Sequence, residues 1–524
     1  MNHYHTLKSM MMASESFVVP SILMAGGTIA FILVVALTSR IVQARFLHPL
    51  RQFPGPFFSS ISDIPAAMIL LRANQPMAHR KLHEKYGPIV RVAPNELSFI
   101  GADAWEGIYG FQKTGPNFEK SPIFIGAVSP VEGQMGISLA PNEPHSRQRK
   151  ALAAAFTNNA LLQQQVILQR HVDKLMMALK KMAADKQSVN MADWYTFTTF
   201  DMIGDICFAE PFGCLDDGAA NEWAKAIVNI FKSAVWDQAM RRLAGTGSLL
   251  HKVLVKLVVP AEAAKWRVTH FSKSKEKTLR RLADPDRQHP DLIQHILKNE
   301  GSRKGLTQTE IVLNMVLFIS AGSETTANLM TGWTYFMISH PHILQRVTDE
   351  VRAAFSSDRD IKWETVKDLS YLEATMHEAL RLFSPAPANQ QRVVPVGGAM
   401  IDGHFIPAGT TVAVAPFAAV RSPLNFVDGE KFAPERWLGD KHYASDNLHA
   451  SQPFSLGPRG CIGKNLSFFE MRLILTHLLW NFDLALAEGK VSSHCKKRWD
   501  ETDMECYQTW MKPDLWASLK EVKR

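Results

Sequence analysis

The longest uninterrupted apolar stretch of the chain comes first: Phe17 to Leu37 (FVVPSILMAGGTIAFILVVAL) is 21 residues without a charge. As a helix it would extend about 32 Å, roughly the hydrocarbon thickness of a bilayer. A cleaved signal peptide has a shorter apolar region, about 7–15 residues, and no small-x-small cleavage site follows Leu37. The pattern predicts an uncleaved transmembrane anchor at 17–37, preceded by a lumenal stretch at 1–16. Arg40, Arg45 and Arg51 follow the span with no acid before Asp63, whereas Lys8 and Glu15 precede it, which places the remainder in the cytosol by the positive-inside rule. Pro54-Gly55-Pro56 suits neither helix nor sheet, because each proline fixes φ and lacks a donor, so residues 38–57 read as a basic, proline-rich elbow.

Beyond the elbow the apolar positions recur mostly at helical spacing. Residues 145–182, 219–240, 307–340, 342–355, 370–383 and 464–482 are predicted as helices. Period-two stretches are fewer: Ile89–Val92 and Leu97–Ile100 pair across Pro94-Asn95, and Ala399–Phe405 turns at Asp402-Gly403. Thr307-x-x-Glu310 and Ser370-x-x-Glu373 both match the capping box. The helix opened by Thr307 can run to His340, where Pro341 stops it, a length of roughly 50 Å that crosses the body. Its uncharged run, Ile311 to Ser323, is too short for a second span and ends at Glu324, so a buried central helix is expected. With no repeat, low-complexity tract or linker after residue 57, residues 58–524 read as a single catalytic domain, mainly α with a smaller β portion.

Composition narrows the class. Over 524 residues, 46% apolar and 21% charged side chains exclude a disordered or collagen-like chain. Length alone suggests three or four domains at about 150 residues each, which the unbroken pattern opposes. The charge is 58 − 50 = +8, but no run of five Lys/Arg occurs, so a nucleic-acid partner is not indicated. Cys207, Cys214, Cys461, Cys495 and Cys506 form neither a disulfide framework nor a C-x-x-C pair, which fits a reducing compartment. No histidine lies in H-E-x-x-H spacing.

One cysteine is singled out by its surroundings. Phe454-Ser-Leu-Gly457-Pro-Arg459-Gly-Cys461-Ile-Gly463 packs three glycines and a proline around it, directly before the helix that begins near Lys464. Backbone N–H groups at a helix N-terminus favour a thiolate, so Cys461 reads as an anionic ligand; a buried structural cysteine is the alternative. The string F-x-x-G-x-R-x-C-x-G resembles the haem-binding loop of the cytochrome P-450 family. That resemblance implies the cytochrome P-450 fold, with haem b between the long central helix and the Cys461 loop. It makes Cys461 the axial ligand of the haem iron, with Phe454 shielding the sulfur, Arg459 pairing with a propionate and Gly463 letting the next helix approach the macrocycle. A thiolate ligand favours O–O cleavage.

Three further motifs take meaning from that resemblance. Glu378-Ala-Leu-Arg381 places acid and base on one helix face, by itself a weak signal, since most such pairs are solvated. With Pro434-Glu-Arg436-Trp437 it is similar to the family's buried network, so Glu378, Arg381 and Arg436 are expected to form a structural cluster. Ala321-Gly322-Ser-Glu324-Thr325-Thr326 sets glycine and polar side chains inside an apolar helix; alone, it could be a close helix crossing with hydroxyls bonded back to the i−4 carbonyl. It is similar to the family's oxygen-activation motif, which implies that Gly322 leaves room for dioxygen and that Thr325 and Glu324 deliver protons. His145-Ser-Arg-Gln-Arg149 and Arg392 resemble further propionate-binding segments, with His145 where Trp is common. Gly429 stands where proline is usual and is expected to affect only a loop.

The resemblance runs from Pro54 to about Pro513, and residues 198–214 look like those of filamentous-fungal members of natural-product pathways. It implies a monooxygenase of the endoplasmic reticulum membrane, single-pass with a cytosolic catalytic domain. Dioxygen and a hydrophobic small molecule, a terpenoid or polyketide, would be its substrates. Electrons would come from NADPH through NADPH-cytochrome P-450 reductase, drawn to basic residues such as Lys464. The substrate lining is expected from 121–140, 236–260, 314–325, 385–391 and Trp510. A haem-thiolate isomerase or dehydratase without external reductant, and a non-catalytic haem or ligand sensor, are the rival readings; Glu324-Thr325 argues against both.

Overall fold

The computed structural model describes the chain except for residues 1–23, 25, 26, 33, 114, 125–127, 129, 287, 298–304, 489–498, 500–503 and 524. The start of the expected anchor and the lumenal stretch lie outside the described residues. A helix over Gly27–Leu47 is long and apolar enough to cross a membrane, with mean hydropathy 1.7 and nearly all of it exposed. It continues past Leu37 and ends in a π-helical turn, Gln43–Leu47, so Arg40 and Arg45 are helical and the chain first bends at His48-Pro49. The proline segment is fastened to the body: Arg91 N–H donates to the Pro54 carbonyl at 2.7 Å, and a Cβ on Gly55 would lie 2.3 Å from the Arg91 carbonyl oxygen.

Helices of seven residues or more in the body are α1 (Ile64–Leu71), α2 (Gln75–Tyr86), α3 (Asp103–Tyr109), α4 (Asn142–Ala153), α5 (Asn158–Ala184), α6 (Met191–Phe208), α7 (Glu222–Ala244), α8 (Leu249–Val258), α9 (Ala261–Ala283), α10 (Gln308–Ser339), α11 (Pro341–Ala354), α12 (Ser370–Leu382) and α13 (Lys464–Asn481). The strands are short. β1 (Ile89–Ala93), β2 (Glu96–Phe99), β3 (Glu119–Lys120), β5 (Arg392–Val393) and β8 (Thr411–Val414) form one sheet in the order β1-β2-β8-β5-β3. β4 (Val189–Asn190), β9 (Phe482–Leu486) and β12 (Trp516–Glu521) form a second, and β6 (Ala399–Ile401) with β7 (His404–Ile406) and β10 (Cys506–Tyr507) with β11 (Thr509–Trp510) are hairpins. Asp402 and Gly403, at φ 49° and 76°, make the β6–β7 turn that a two-residue connection requires.

The predicted helix over 145–182 is two helices. Thr157 is extended (φ −73°, ψ 155°) and its hydroxyl accepts the Ala160 N–H at 3.3 Å, so a new N-terminus starts inside an unbroken apolar pattern. The Thr307 capping box forms: Thr307 Oγ1 accepts the Glu310 N–H at 3.1 Å, and Glu310 Oε2 accepts the Thr307 N–H at 2.9 Å. The expected box at Ser370 does not. Glu350, from α11, takes its place, accepting the N–H groups of Tyr371 at 2.7 Å and Leu372 at 2.8 Å, while Glu373 pairs with Arg472 at 2.7 Å.

The central helix is buried as expected. Met315, Ile319, Met330, Trp333 and Met337 of α10 sit in the main core among α6, α12 and α13. Trp333 Nε1 donates to Thr375 Oγ1 at 2.9 Å and Tyr195 bonds Thr334 at 2.8 Å, which fixes α10 in register with α12 and α6.

Candidate active site

A cavity of about 970 Å³, counting its opening to solvent, lies between α10 and the loop that leads into α13. Cys461 opens onto it from one side and Ala321, Gly322 and Thr325 of α10 from the other. The cysteine loop is closed on itself: Cys461 N–H donates to the Phe454 carbonyl at 2.8 Å. Gly457 is at φ +68°, and a Cβ there would lie 2.1 Å from the Tyr109 carbonyl oxygen, so the loop can press against the end of α3 only with glycine at this position. At Gly463 a Cβ would meet nothing nearer than the Cys461 sulfur at 4.0 Å. The polypeptide therefore does not demand that glycine; a large planar group against the sulfur would.

The Cys461 thiol is pushed up, not down. Desolvation by the protein packed around the sulfur raises it although the residue opens onto the cavity, and the Gly463 and Lys464 N–H groups and the charges of Arg149 and Lys464 offset this only in part. The N–H groups expected at the helix start are present, but desolvation outweighs them, so the thiolate is secured when a metal ion takes the sulfur as ligand.

On one flank of the cavity cations crowd together. Arg459 donates to Glu119 at 3.0 Å, to the Ala140 carbonyl at 2.8 Å and to Asn142 at 3.2 Å through Nη2, while its buried Nε and Nη1 have no partner. Arg149 donates to the Gly460 carbonyl at 2.7 Å. Arg392 lies over the Tyr109 ring at 5.0 Å and is lowered to about 10, by burial and by Arg459. Lys120, which the sequence reading did not single out, is held well below the usual lysine range by burial, Arg392 and Arg459. His145 is lowered to about 3 by burial and by Arg459, Arg149, Lys120 and Arg392, so it is neutral and offers an N–H. Lys120, Arg149 and Arg459 line this flank with Arg392 beside them, and the carboxylate paired with Arg459, Glu119, is itself 45% exposed at its side chain. A group bearing two carboxylates is what this wall lacks, and together with the open sulfur it fits haem.

Other expected residues fall into place differently. Gly322 lines the cavity, and a Cβ there would lie 2.8 Å from Ile203 Cδ1, so this glycine also lets α6 approach α10. The Thr325 hydroxyl donates to the Ala321 carbonyl at 2.7 Å while the residue lines the cavity. Glu324 is buried, is not part of the cavity wall, and accepts from Lys512. Phe454 lines the cavity and packs 5.4 Å from Phe468. Of the expected lining, Ile137, Ser138, Leu317, Phe318, Ala321, Gly322 and Thr325 contribute; nothing from 236–260 or 385–391 does, and Trp510 is a core residue bonded to the Ser384 carbonyl at 2.9 Å.

Away from the cavity, Glu378, Arg381 and Arg436 meet with fully buried side chains. Glu378 accepts from Arg381 at 2.8 Å through both oxygens, from Arg436 at 2.9 Å, from the Ala433 N–H at 2.9 Å and from Trp437 Nε1 at 2.9 Å. Burial opposes its ionisation, but the Arg381 hydrogen bonds and the charges of Arg381 and Arg436 outweigh it and hold the carboxyl below its ordinary value. Arg436 also pairs with Asp446. Gly429, expected to matter only to a loop, belongs to this network: its carbonyl accepts from Arg381 at 2.6 Å, and a Cβ would lie 2.8 Å from the Arg421 carbonyl oxygen.

Glu470 was also missed. It lines the cavity one turn after Leu466 on α13, and burial pushes its carboxyl up to about 8, a bond from Thr326 offsetting this in part. An acid on the otherwise apolar face of α13 was the available signal.

A family model described as Cytochrome P450 matches residues 53–500. The chain is 67% identical over 503 residues to Cytochrome P450 monooxygenase ABA2 of Pyricularia oryzae, covering 95% of this chain and 96% of that one. It is 62% identical to Cytochrome P450 monooxygenase aba2 of Botryotinia fuckeliana, covering 95% of each. To Cytochrome P450 monooxygenase atr2 of Stereocaulon alpinum it is 39% identical, over 91% of this chain and 92% of that one.

Proposed function

The chain belongs to the cytochrome P450 family, and on that premise we propose that it is a haem-thiolate monooxygenase of fungal secondary metabolism, inserting one atom of dioxygen into a hydrophobic small molecule by hydroxylation or epoxidation. The observation that carries this reading is that Cys461 and Thr325 line the same cavity, with Lys120, Arg149 and Arg459 on its wall. When bound, the haem iron supplies dioxygen activation and O–O cleavage, with the thiolate lending electron density.

The chain's own residues do the rest. Cys461 would ligate the iron; Arg149, Arg392, Arg459 and Lys120 would hold the propionates, with His145 donating its N–H, and Phe454 would cover the sulfur. The Thr325 hydroxyl donates to the Ala321 carbonyl, leaving its oxygen free to accept a hydrogen bond from a water in the cavity. Glu324, adjacent on α10, supplies protons to the water that this hydroxyl holds in place and regains them from solvent. Ile137, Leu317 and Phe318 give the apolar wall a hydrophobic substrate requires. Electrons come from NADPH through NADPH-cytochrome P-450 reductase. Residues 17–37 anchor the chain in the endoplasmic reticulum membrane and residues 58–524 form the cytosolic catalytic domain.

The test is NADPH-dependent oxygen uptake by the purified holoenzyme with its reductase. Thr325→Ala is expected to divert most electrons to hydrogen peroxide; unchanged peroxide yield would remove Thr325 from proton delivery. Turnover that persists when NADPH is withheld would favour the isomerase or dehydratase reading.

A further inference from the structure

Ile137 and Ser138 line the cavity from the middle of a closed turn. The N–H groups of Leu139 and Ala140 both donate to the Gly136 carbonyl, at 3.1 Å and 3.0 Å. The turn is fixed at its exit, where the Ala140 carbonyl accepts from Arg459 at 2.8 Å. A side chain of the central helix fixes its entry: the Ile137 N–H donates to Asn314 Oδ1 at 2.8 Å. Gly136 lies against α10, and a Cβ there would come within 3.2 Å of the Leu313 side chain and 3.3 Å of the Asn314 oxygen.

Asn314 has a partner of the same chemistry. Its Nδ2 donates to Gln148 Oε1 at 3.0 Å, and Gln148 Nε2 donates to the Met135 carbonyl at 2.8 Å and to Glu310 Oε1 at 3.2 Å. Glu310 is paired in turn with Arg147 and closes the capping box of α10. Asn314 and Gln148 are fully buried, and both polar atoms of each amide are hydrogen-bonded. An apolar pair of the same size would fill this space without desolvating two amides, so what the amides add is the position of a backbone, at Met135 and at Ile137. Asn314 also precedes Leu317 and Phe318 by one turn on the same face of α10, and Gln148 stands beside Arg149 on α4. Leu317, Phe318 and Arg149 all line the cavity. The turn is thus tied to the two helices that carry neighbouring parts of the wall.

We propose that Asn314 and Gln148 are positioning residues for ligand specificity: by holding Ile137 and Ser138 at a fixed distance from α10 they set the breadth of hydrophobic ligand the cavity admits. The proposal rests on the reading of the cavity as the haem and substrate site given above. Neither amide lines the cavity, so both act through residues that do. A wall pinned at entry and exit cannot withdraw from a broad ligand, and such a ligand binds only at the cost of breaking a buried hydrogen bond. A narrow ligand meets no such cost.

The experiment uses the holoenzyme and two azoles of different breadth, imidazole and N-phenylimidazole, whose free ring nitrogen binds haem iron and shifts its Soret band. The Kd of each azole is read from that shift for wild type, Asn314→Ala, Gln148→Ala and Glu350→Ala, with Tm for each. Asn314→Ala releases the Ile137 N–H, and the ratio of the N-phenylimidazole Kd to the imidazole Kd is expected to fall at least threefold. Gln148→Ala, which releases the Met135 carbonyl and takes the acceptor from Asn314 Nδ2, should lower the ratio in the same direction. Glu350→Ala, at the start of α12 and outside the cavity wall, should lower Tm and leave the ratio at its wild-type value. A ratio that stays at the wild-type value in Asn314→Ala while Tm falls would reduce the pair to structural support and overturn the proposal. So would a ratio that Glu350→Ala moves as far as Asn314→Ala does. Should Asn314→Ala not retain haem, Gln148→Ala decides by the same criterion. A wild-type holoenzyme whose Soret band neither azole shifts would instead sink the reading of the cavity as a haem site, and this proposal with it.

Discussion

Trp437 Nε1 donates to Glu378 Oε2 at 2.9 Å, the fifth donor to a carboxylate that reaches no solvent. Every lone pair of Glu378 is thereby occupied, and both arginines bonded to it are buried as well. Glu378→Ala takes the carboxylate from Arg381 and one of two from Arg436, which keeps Asp446, and is expected to cost on the order of 3–5 kcal/mol, with loss of haem incorporation. A carbon-monoxide difference spectrum and a melting curve would check this. A stable, haem-loaded variant would refute it.

The cap of α12 gives a contrast between two neighbouring substitutions. Glu350→Ala leaves the Tyr371 and Leu372 N–H groups without their acceptor and is expected to cost about 1 kcal/mol. Ser370→Ala, removing a hydroxyl whose bond is to Glu350 at 3.3 Å, should be close to neutral. Urea unfolding of the two variants, read as midpoint shifts at constant slope, separates them.

Two glycines of the cysteine loop are expected to behave oppositely. Gly457→Ala forces a methyl to within 2.1 Å of a backbone oxygen at φ +68° and should destabilise the fold by several degrees of Tm with or without haem. Gly463→Ala meets only the sulfur at 4.0 Å, so the cofactor-free chain should melt as wild type does while haem affinity falls. Equal effects on the cofactor-free forms would contradict this.

Acid sensitivity follows from buried neutral histidines. His270 Nδ1 accepts from Trp223 Nε1 at 2.9 Å and its Nε2 donates to the Val316 carbonyl at 2.8 Å, leaving no site for a second proton. Burial lowers it to about 4, the Val316 bond offsetting this slightly, and His83 is likewise lowered to about 4. Because the folded values lie below the unfolded value, the stabilisation is present above pH 6.5 and is lost as pH falls from there toward 4. For each histidine the loss between pH 6.5 and 5 is about 2 kcal/mol. Melting curves from pH 7 to 5 should fall for wild type and fall less steeply for His270→Phe.

Much of this was legible in the chain because it was local. The Asp402-Gly403 turn, the Thr307 box and the helix stop at Pro341 depend on residues within a turn of one another, and the structure has them. The Cys461 loop was legible for the same reason. What escaped depends on distant partners. Glu350 displaces the Ser370 box because α11 happens to end beside α12. Gly429 matters because Arg381, far off in sequence, needs its carbonyl. Gly322 answers to Ile203 on another helix, and the upward push on Cys461 comes from burial, which spacing does not reveal. Lys120 sits on a two-residue strand whose partner, β5, is contributed by a segment much later in the chain.

The crowding of Lys120, Arg149, Arg392 and Arg459 beside the cavity has a consequence for supply rather than for chemistry. Mutual repulsion among these buried and half-buried cations weighs against the cofactor-free fold, and two bound carboxylates would remove that burden, which links cofactor binding to folding. Free haem then acts on this protein as a rheostat of abundance: a cell short of it would hold less folded chain, not merely less active chain.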